Sequence, residues 1–187
     1  MAIRGENVSA GIDFSWERKQ RRLYVCLVLF KDPKLASKIS RFLLEKIRDR
    51  HLHFRRLTSR KKKFLLNAVD NLLSTEIFHG FSREDICVLE VTRSVGSSLV
   101  RKYSWIEEKI TDIISTAKQY RNYPHQVFIG SDLERGEYSF YRNLLSRLES
   151  FHIDVYVDDK RHEVRIADAI VNYARKTGKL ITRKHFC

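Results

Sequence analysis

Apolar positions fall in two patterns along this 187-residue chain: short dense runs, and longer stretches in which they recur every three or four residues. The densest run, residues 23–30 (LYVCLVLF), is apolar throughout and of β-rich composition, and predicts a strand buried on both faces. Ahead of it, residues 10–16 (AGIDFSW) predict a partner strand. The charged link at 17–22 (ERKQRR) makes the two an antiparallel hairpin.

Asp32 and Pro33 supply an N-cap and a proline for the first helical position. Leu35, Ile39, Phe42, Leu43 and Ile47 then recur at helical spacing, predicting a helix to about Arg50. Residues 51–57 alternate in a way that suits a short edge strand. Thr58 or Ser59 caps a second helix with Phe64, Leu65, Val69, Leu72 and Leu73 on its inner side. Downstream the pattern predicts strands at 85–91, 126–130 and 153–157. Helices are predicted over 98–118, over 137–150 with Tyr141, Leu144, Leu145 and Leu148 inward, and from Glu163 onward. Strands and helices in alternation define the α/β class.

Two prolines, seven glycines and no internal repeat leave nowhere to divide the chain, so the expectation is one domain over 1–187 with a basic tail from about residue 176. The longest apolar run is far short of the roughly 20 residues that a spanning helix needs, and the N-terminus carries no secretory apolar segment. Cys26 and Cys87 sit in strand-like runs and Cys187 is terminal, which makes neither a disulfide framework nor zinc spacing. These features predict a soluble, cytoplasmic protein with reduced thiols and no membrane partner; assembly as a homodimer is left open.

Charge changes the picture. Lys and Arg number 36 against 23 Asp and Glu, a formal charge of +13, the electrostatic footprint of a protein that binds phosphate backbones. Arg60, Lys61, Lys62 and Lys63 crowd the first turn of the second helix, where cations oppose the helix dipole, and Arg55 and Arg56 stand just before it. These six are the candidate contacts to nucleic acid, DNA or RNA. An acidic protein partner is the other reading of the same charge.

Four acids stand where acids need a reason. Asp13 shares a strand face with Gly11 and Ser15, opposite Ala10, Ile12 and Phe14. Glu90 closes the 85–91 strand and Asp132 follows Gly130 by two residues, at the carboxyl strand ends where ligands of α/β sheets collect. Asp168 interrupts an apolar helical stripe of Val164, Ala167, Val171 and Ala174. Singly, each has an ordinary explanation as a salt bridge, a helix cap or an exposed strand end. Converging carboxylates, by contrast, repel one another unless a cation lies between them, and their hard oxygens suit Mg²⁺ or Mn²⁺.

The segment Gly11-Ile-Asp13-Phe14 and the closing Arg165-Ile-Ala-Asp168-Ala-Ile-Val-Asn172-Tyr-Ala174 resemble the first strand and last helix of the ribonuclease H-like superfamily, which includes RuvC-type resolvases. The likeness extends by element order over roughly residues 8–177. It implies a mixed sheet with an antiparallel N-terminal hairpin and helices on both faces. It also implies a metal-dependent nuclease, either an exonuclease or a structure-specific endonuclease, using Mg²⁺ or Mn²⁺. In that likeness Asp13 bridges two metals, Glu90 is the second acid, Asp168 the last ligand and Asp132 a fourth. Two helices precede Glu90 where one is usual, so Glu107 or Glu108 stands as an alternative second acid, and Asp158-Asp159 as a substitute ligand. His162 is a candidate to orient water or a leaving group. Tyr24, Phe54, Trp105 and Tyr138 are candidates for base stacking or for the core. The rival reading is a non-catalytic domain of the same fold that binds nucleic acid or protein.

Overall fold

Strand β1 (Ser9–Glu17) and strand β2 (Arg22–Phe30) pair antiparallel along their whole length, Ser9 opposite Phe30 and Glu17 opposite Arg22. The charged link between them turns through a 3-10 helix at Arg18–Gln20. This computed structural model describes residues 8–20, 22–30, 33–74, 77–78, 81–82, 86–93, 104–105, 107–112, 115, 124–131 and 138–180. After the hairpin come helices α1 (Pro33–Ile47) and α2 (Ser59–Ser74), then a small separate hairpin of β3 (Ile77–Phe78) and β4 (Phe81–Ser82). Strand β5 (Ile86–Arg93), strand β6 (Gln126–Ile129), helix α3 (Tyr138–Glu149), strand β7 (Asp154–Val157) and helix α4 (His162–Thr177) follow.

The main sheet has five strands in the order β5-β2-β1-β6-β7. β2 runs antiparallel to both of its neighbours, whereas β6 and β7 run parallel to β1, so the sheet is mixed. β2 is buried on both faces, as its unbroken apolar run requires. Tyr24, Cys26, Val28 and Phe30 meet α1, α2 and α4 on one side. On the other side, Leu23, Val25, Leu27 and Leu29 join Ile12, Val127 and Ile129 against Ile110 and the α3 residues Leu144 and Leu148. Helices therefore cover both faces, and the chain is an α/β structure of three layers. No helix among the described residues is long and apolar enough to cross a membrane.

Helix α4 is more than the one-sided element its stripe predicts. Nearly every residue from Glu163 to Ala174 is buried, because α4 lies on β1 and β2 while α1 and α2 cover its outer side. Ala167, Ala169 and Ala174 keep its girth small. At Gly11 the approach is so close that a Cβ would run into the backbone carbonyl of Glu163. α4 ends where Gly178, at φ 74°, takes the left-handed cap and donates its N–H to Ala174 O at 2.8 Å.

Three local expectations are corrected. α1 stops at Ile47 rather than Arg50, since Arg48 adopts φ 49° and breaks the ladder. Residues 51–57 form no strand. They run without regular structure to His53, which is extended, and then make a 3-10 turn at Phe54–Arg56, because this backbone bonds to a side chain of α4 instead of to a sheet edge. Phe64 is 49% exposed, and Leu65, Ala68, Val69 and Leu72 form the buried face of α2. Thr58 does cap α2, its Oγ1 accepting from Lys61 N at 3.4 Å.

Gly11→Ala puts a methyl group where neither neighbour is a movable side-chain end, so the strand and helix must part. The expected loss is about 2 kcal/mol or more of folding stability, read as a lower urea midpoint with an unchanged slope.

Candidate active site

The alternation of β1 puts Ser9, Gly11, Asp13 and Ser15 on the face that α4 covers, so polar groups are trapped in a seam that must satisfy itself. At one end Ser9 Oγ donates to Glu163 Oε1 at 3.0 Å. At the other, Ser15 Oγ donates to Asn172 Oδ1 at 2.9 Å. Asn172 uses its whole hydrogen-bonding capacity: Nδ2 donates to Asp168 Oδ1 (2.6 Å) and Asp168 O (2.9 Å), and Oδ1 also accepts from Arg175 at 3.0 Å.

Asp13 and Asp168 lie along this seam, 3% and 6% exposed. Asp168 Oδ2 accepts the backbone N–H of Phe54 at 2.9 Å, and His53 Nδ1 stands 3.5 Å from the same oxygen. Phe54 opens the 3-10 turn, so its N–H has no partner within the turn; a carboxylate on a helix 114 residues away in sequence caps it. Asp13 occupies the point where β6 leaves the sheet. The β1–β6 ladder ends at Ile12 opposite Ile129, Gly130 N donates to Ile12 O at 2.9 Å, and a Cβ on Gly130 would strike Asp13 Oδ1. Glycine there leaves room for the carboxylate. Across the hairpin Asp13 pairs with Cys26, whose thiol pKa is pushed well up by burial and then by the Asp13 charge.

Both acids open onto one cavity of about 510 Å³. Its walls carry three carboxylates (Asp13, Asp159, Asp168), three cations (Arg56, Lys160, Arg165), the imidazoles of His51 and His53, and apolar Leu52 and Val164. Asp159 does more than decorate an exposed turn. It accepts from Ser131 N at 2.7 Å and from Ser131 Oγ, tying the end of β6 to the turn after β7. Asp158 makes the turn itself, accepting from Lys160 N at 2.9 Å.

The other predicted site residues distribute as follows. The backbone of Glu90 lies in β5 opposite Leu27, in the row next to the Cys26–Val91 row that continues from Asp13; its side chain is outside the described residues, and so is Asp132. Glu107 is buried and paired with Arg147 of α3 at 3.7 Å, in the layer across the sheet from Asp13, and Glu108 is exposed. The cavity's imidazoles are His51 and His53 rather than His162, whose pKa is lowered by burial and then by the neighbouring Arg165. Of the six predicted phosphate contacts, Arg56 lines the cavity, and Arg55 and Lys63 are exposed. Lys61 is bonded to Asp49 at 2.7 Å, and with the His51 and Arg50 amides it holds the Asp49 carboxyl down at about 2. Lys62 and Arg60 lie over the rings of Phe54 and Phe64, at 5.5 and 5.7 Å. Tyr24 and Phe54 belong to the core, Trp105 packs partly buried against it, and the Tyr138 side chain is outside the described residues.

Among the described residues, no three His, Cys, Asp or Glu side chains gather into a group able to hold a metal ion. No family model matches the chain, and no curated protein matches it.

Because Asn172 bonds both Asp168 and Ser15, Asn172→Leu leaves the Ser15 hydroxyl without its buried acceptor and takes from Asp168 the bond at Oδ1, leaving it only those from the loop side. The expected cost is about 2–3 kcal/mol in chemical denaturation, with Ser15→Ala alone costing clearly less.

Proposed function

We propose that this chain is a divalent-cation-dependent phosphodiesterase acting on nucleic acid, built on a ribonuclease H-like scaffold. The observation that carries the reading is that Asp13 and Asp168, 155 residues apart, open onto one cavity whose walls also hold Arg56, Lys160 and Arg165. The mixed sheet with its antiparallel N-terminal hairpin, covered by helices on both faces, supports the scaffold.

The donor chemistry suits Mg²⁺ or Mn²⁺: two carboxylates offer hard oxygens, and Asp168 is held in one orientation by Phe54 N–H and Asn172, the arrangement that outer hydrogen bonds give to ligating carboxylates. A carboxylate has about four lone-pair sites, so the bonds to Phe54, Asn172 and His53 still leave Asp168 an acceptor position. A bound cation would supply a Lewis acid and a water of lowered pKa. The chain's own part is positional. Arg56, Lys160 and Arg165 hold the phosphodiester by charge, and Gly130 lets Asp13 point over the end of β6. The net charge of +13 draws a polyanion to this surface.

The non-catalytic alternative draws on the same bonds to Asp168, which serve equally well to anchor a loop to a helix. Incubating the protein with labelled single- and double-stranded DNA, RNA and hybrid in Mg²⁺ or Mn²⁺ separates the two. Cleavage is expected, with Asp13→Asn folded but reduced by more than the roughly 10–100-fold that outer-shell changes cause. Gly130→Ala, which displaces the Asp13 carboxylate without removing it, is expected to fall between Asp13→Asn and the parent. Tight binding without cleavage in either cation would sink the catalytic reading.

A further inference from the structure

β7 is one of the two edge strands of the main sheet as described, and two of its side chains are wet: Tyr156 is 46% and Val157 45% exposed. Gly11, Phe128 and Tyr156 stand in one register row across β1, β6 and β7, so Phe128 and Tyr156 are on the sheet face that α4 covers at Gly11. α4 begins at His162 and does not extend over β7. The residue before it, Arg161, fills the step, with its guanidinium 4.0 Å from the centre of the Phe128 ring. Tyr156 stacks on the far side of this group, 5.5 Å from Phe128 with the rings 21° apart. The result is a ledge of guanidinium, ring and ring whose outermost member faces water.

The ledge adjoins the cavity. Asp159 and Lys160, which line the cavity, follow Tyr156 by three and four residues. Two strand spacings across and two residues along separate Tyr156 from Asp13, about 12 Å between Cα atoms. A base on the ledge and a phosphate of the same strand in the cavity fit this span together.

We propose that Tyr156, backed by Phe128 and Arg161, is a stacking platform for an unpaired nucleobase, which makes single-stranded nucleic acid the substrate class of the cavity. The inference rests on the nucleic-acid reading above and deepens it. Base–aromatic stacking is sequence-tolerant and strong enough to direct binding. A duplex keeps its bases stacked on one another and presents none to such a ring without first paying to unstack it. Charge gives the strand its path: Lys160 lines the cavity beyond Tyr156, while Asp154 stands at the far end of β7, where it repels phosphate. A peptide strand adding to the β7 edge is the other conceivable occupant. It would be held mainly by main-chain bonds, indifferent to the ring at 156.

The test is binding in EDTA, so that no cleavage intervenes, of a single strand carrying 2-aminopurine and of the matching duplex. Parent, Tyr156→Phe and Tyr156→Leu are compared, with thermal melts to show that each is folded. Tyr156→Leu is expected to bind the single strand roughly tenfold more weakly and to lose the 2-aminopurine quenching, with duplex affinity unchanged. Tyr156→Phe keeps both. Single-strand affinity in Tyr156→Leu equal to the parent's, or equal losses for single strand and duplex, overturns the proposal. Cleavage in Mg²⁺ or Mn²⁺ is scored separately. A Tyr156-dependent single-strand affinity without cleavage leaves the platform standing and removes the catalytic reading, whereas cleavage with no dependence on Tyr156 does the reverse.

Discussion

The contact between β1 and α4 is the constraint on which the rest of the structure depends. A helix can sit directly on a strand only where the strand gives up side-chain volume and the polar groups caught between them satisfy one another. Gly11 supplies the first condition against the Glu163 backbone. The Ser9–Glu163 and Ser15–Asn172 hydrogen bonds supply the second at either end. Because α4 is drawn so deeply onto the sheet, α1 and α2 have a helix to pack against, and Asp168 is carried inward until it opens onto the same cavity as Asp13. Polar pairing here costs desolvation and stabilises little by itself, but it admits only one register of helix on strand.

The strands of the main sheet were legible in the sequence because their apolar runs are compact and their parity has few solutions, whereas the two-residue strands β3 and β4 are too short to carry a pattern; the face shared by Gly11, Asp13 and Ser15 follows from period two alone. Asp168 on the packed face of the last helix was equally visible. The 51–57 segment was misread because its alternation is a local property, whereas its conformation is decided by Asp168, 114 residues away. Phe64 was placed inside by spacing, yet it lies on the flank of α2, partly covered by Arg60. Asn172 was recoverable, four residues after Asp168 on one helix face, but polar residues at that spacing are common on solvated helices too. Asp159 stood in the sequence only as a substitute ligand, and His53 and Lys160 had no sequence signal, since only the folded chain brings two loops to the mouth of one cavity.

The basic clusters divide in a similar way. A run such as Arg60 to Lys63 reads as a single patch, but on a helix its members point in different directions. Lys61 neutralises Asp49 beyond the end of α1, which offsets part of the cost of cations at the start of α2 and links the two helices. Lys62 covers an aromatic ring, and Arg56 alone of the six predicted cations reaches the cavity. Net charge identifies the class of partner; the ion pairs decide which cations remain to meet it.

The bond that holds Asp168 from the loop side comes from a main-chain amide, that of Phe54. Every amino acid except proline carries that donor, so anchoring the acid makes no demand on which side chains the loop displays. His51, His53 and Arg56, which face the cavity from this loop, can therefore be exchanged one by one while the carboxylate stays tethered. Holding the acid and shaping the wall opposite it are separable tasks, and a scaffold of this kind can change what it recognises without loosening what it positions.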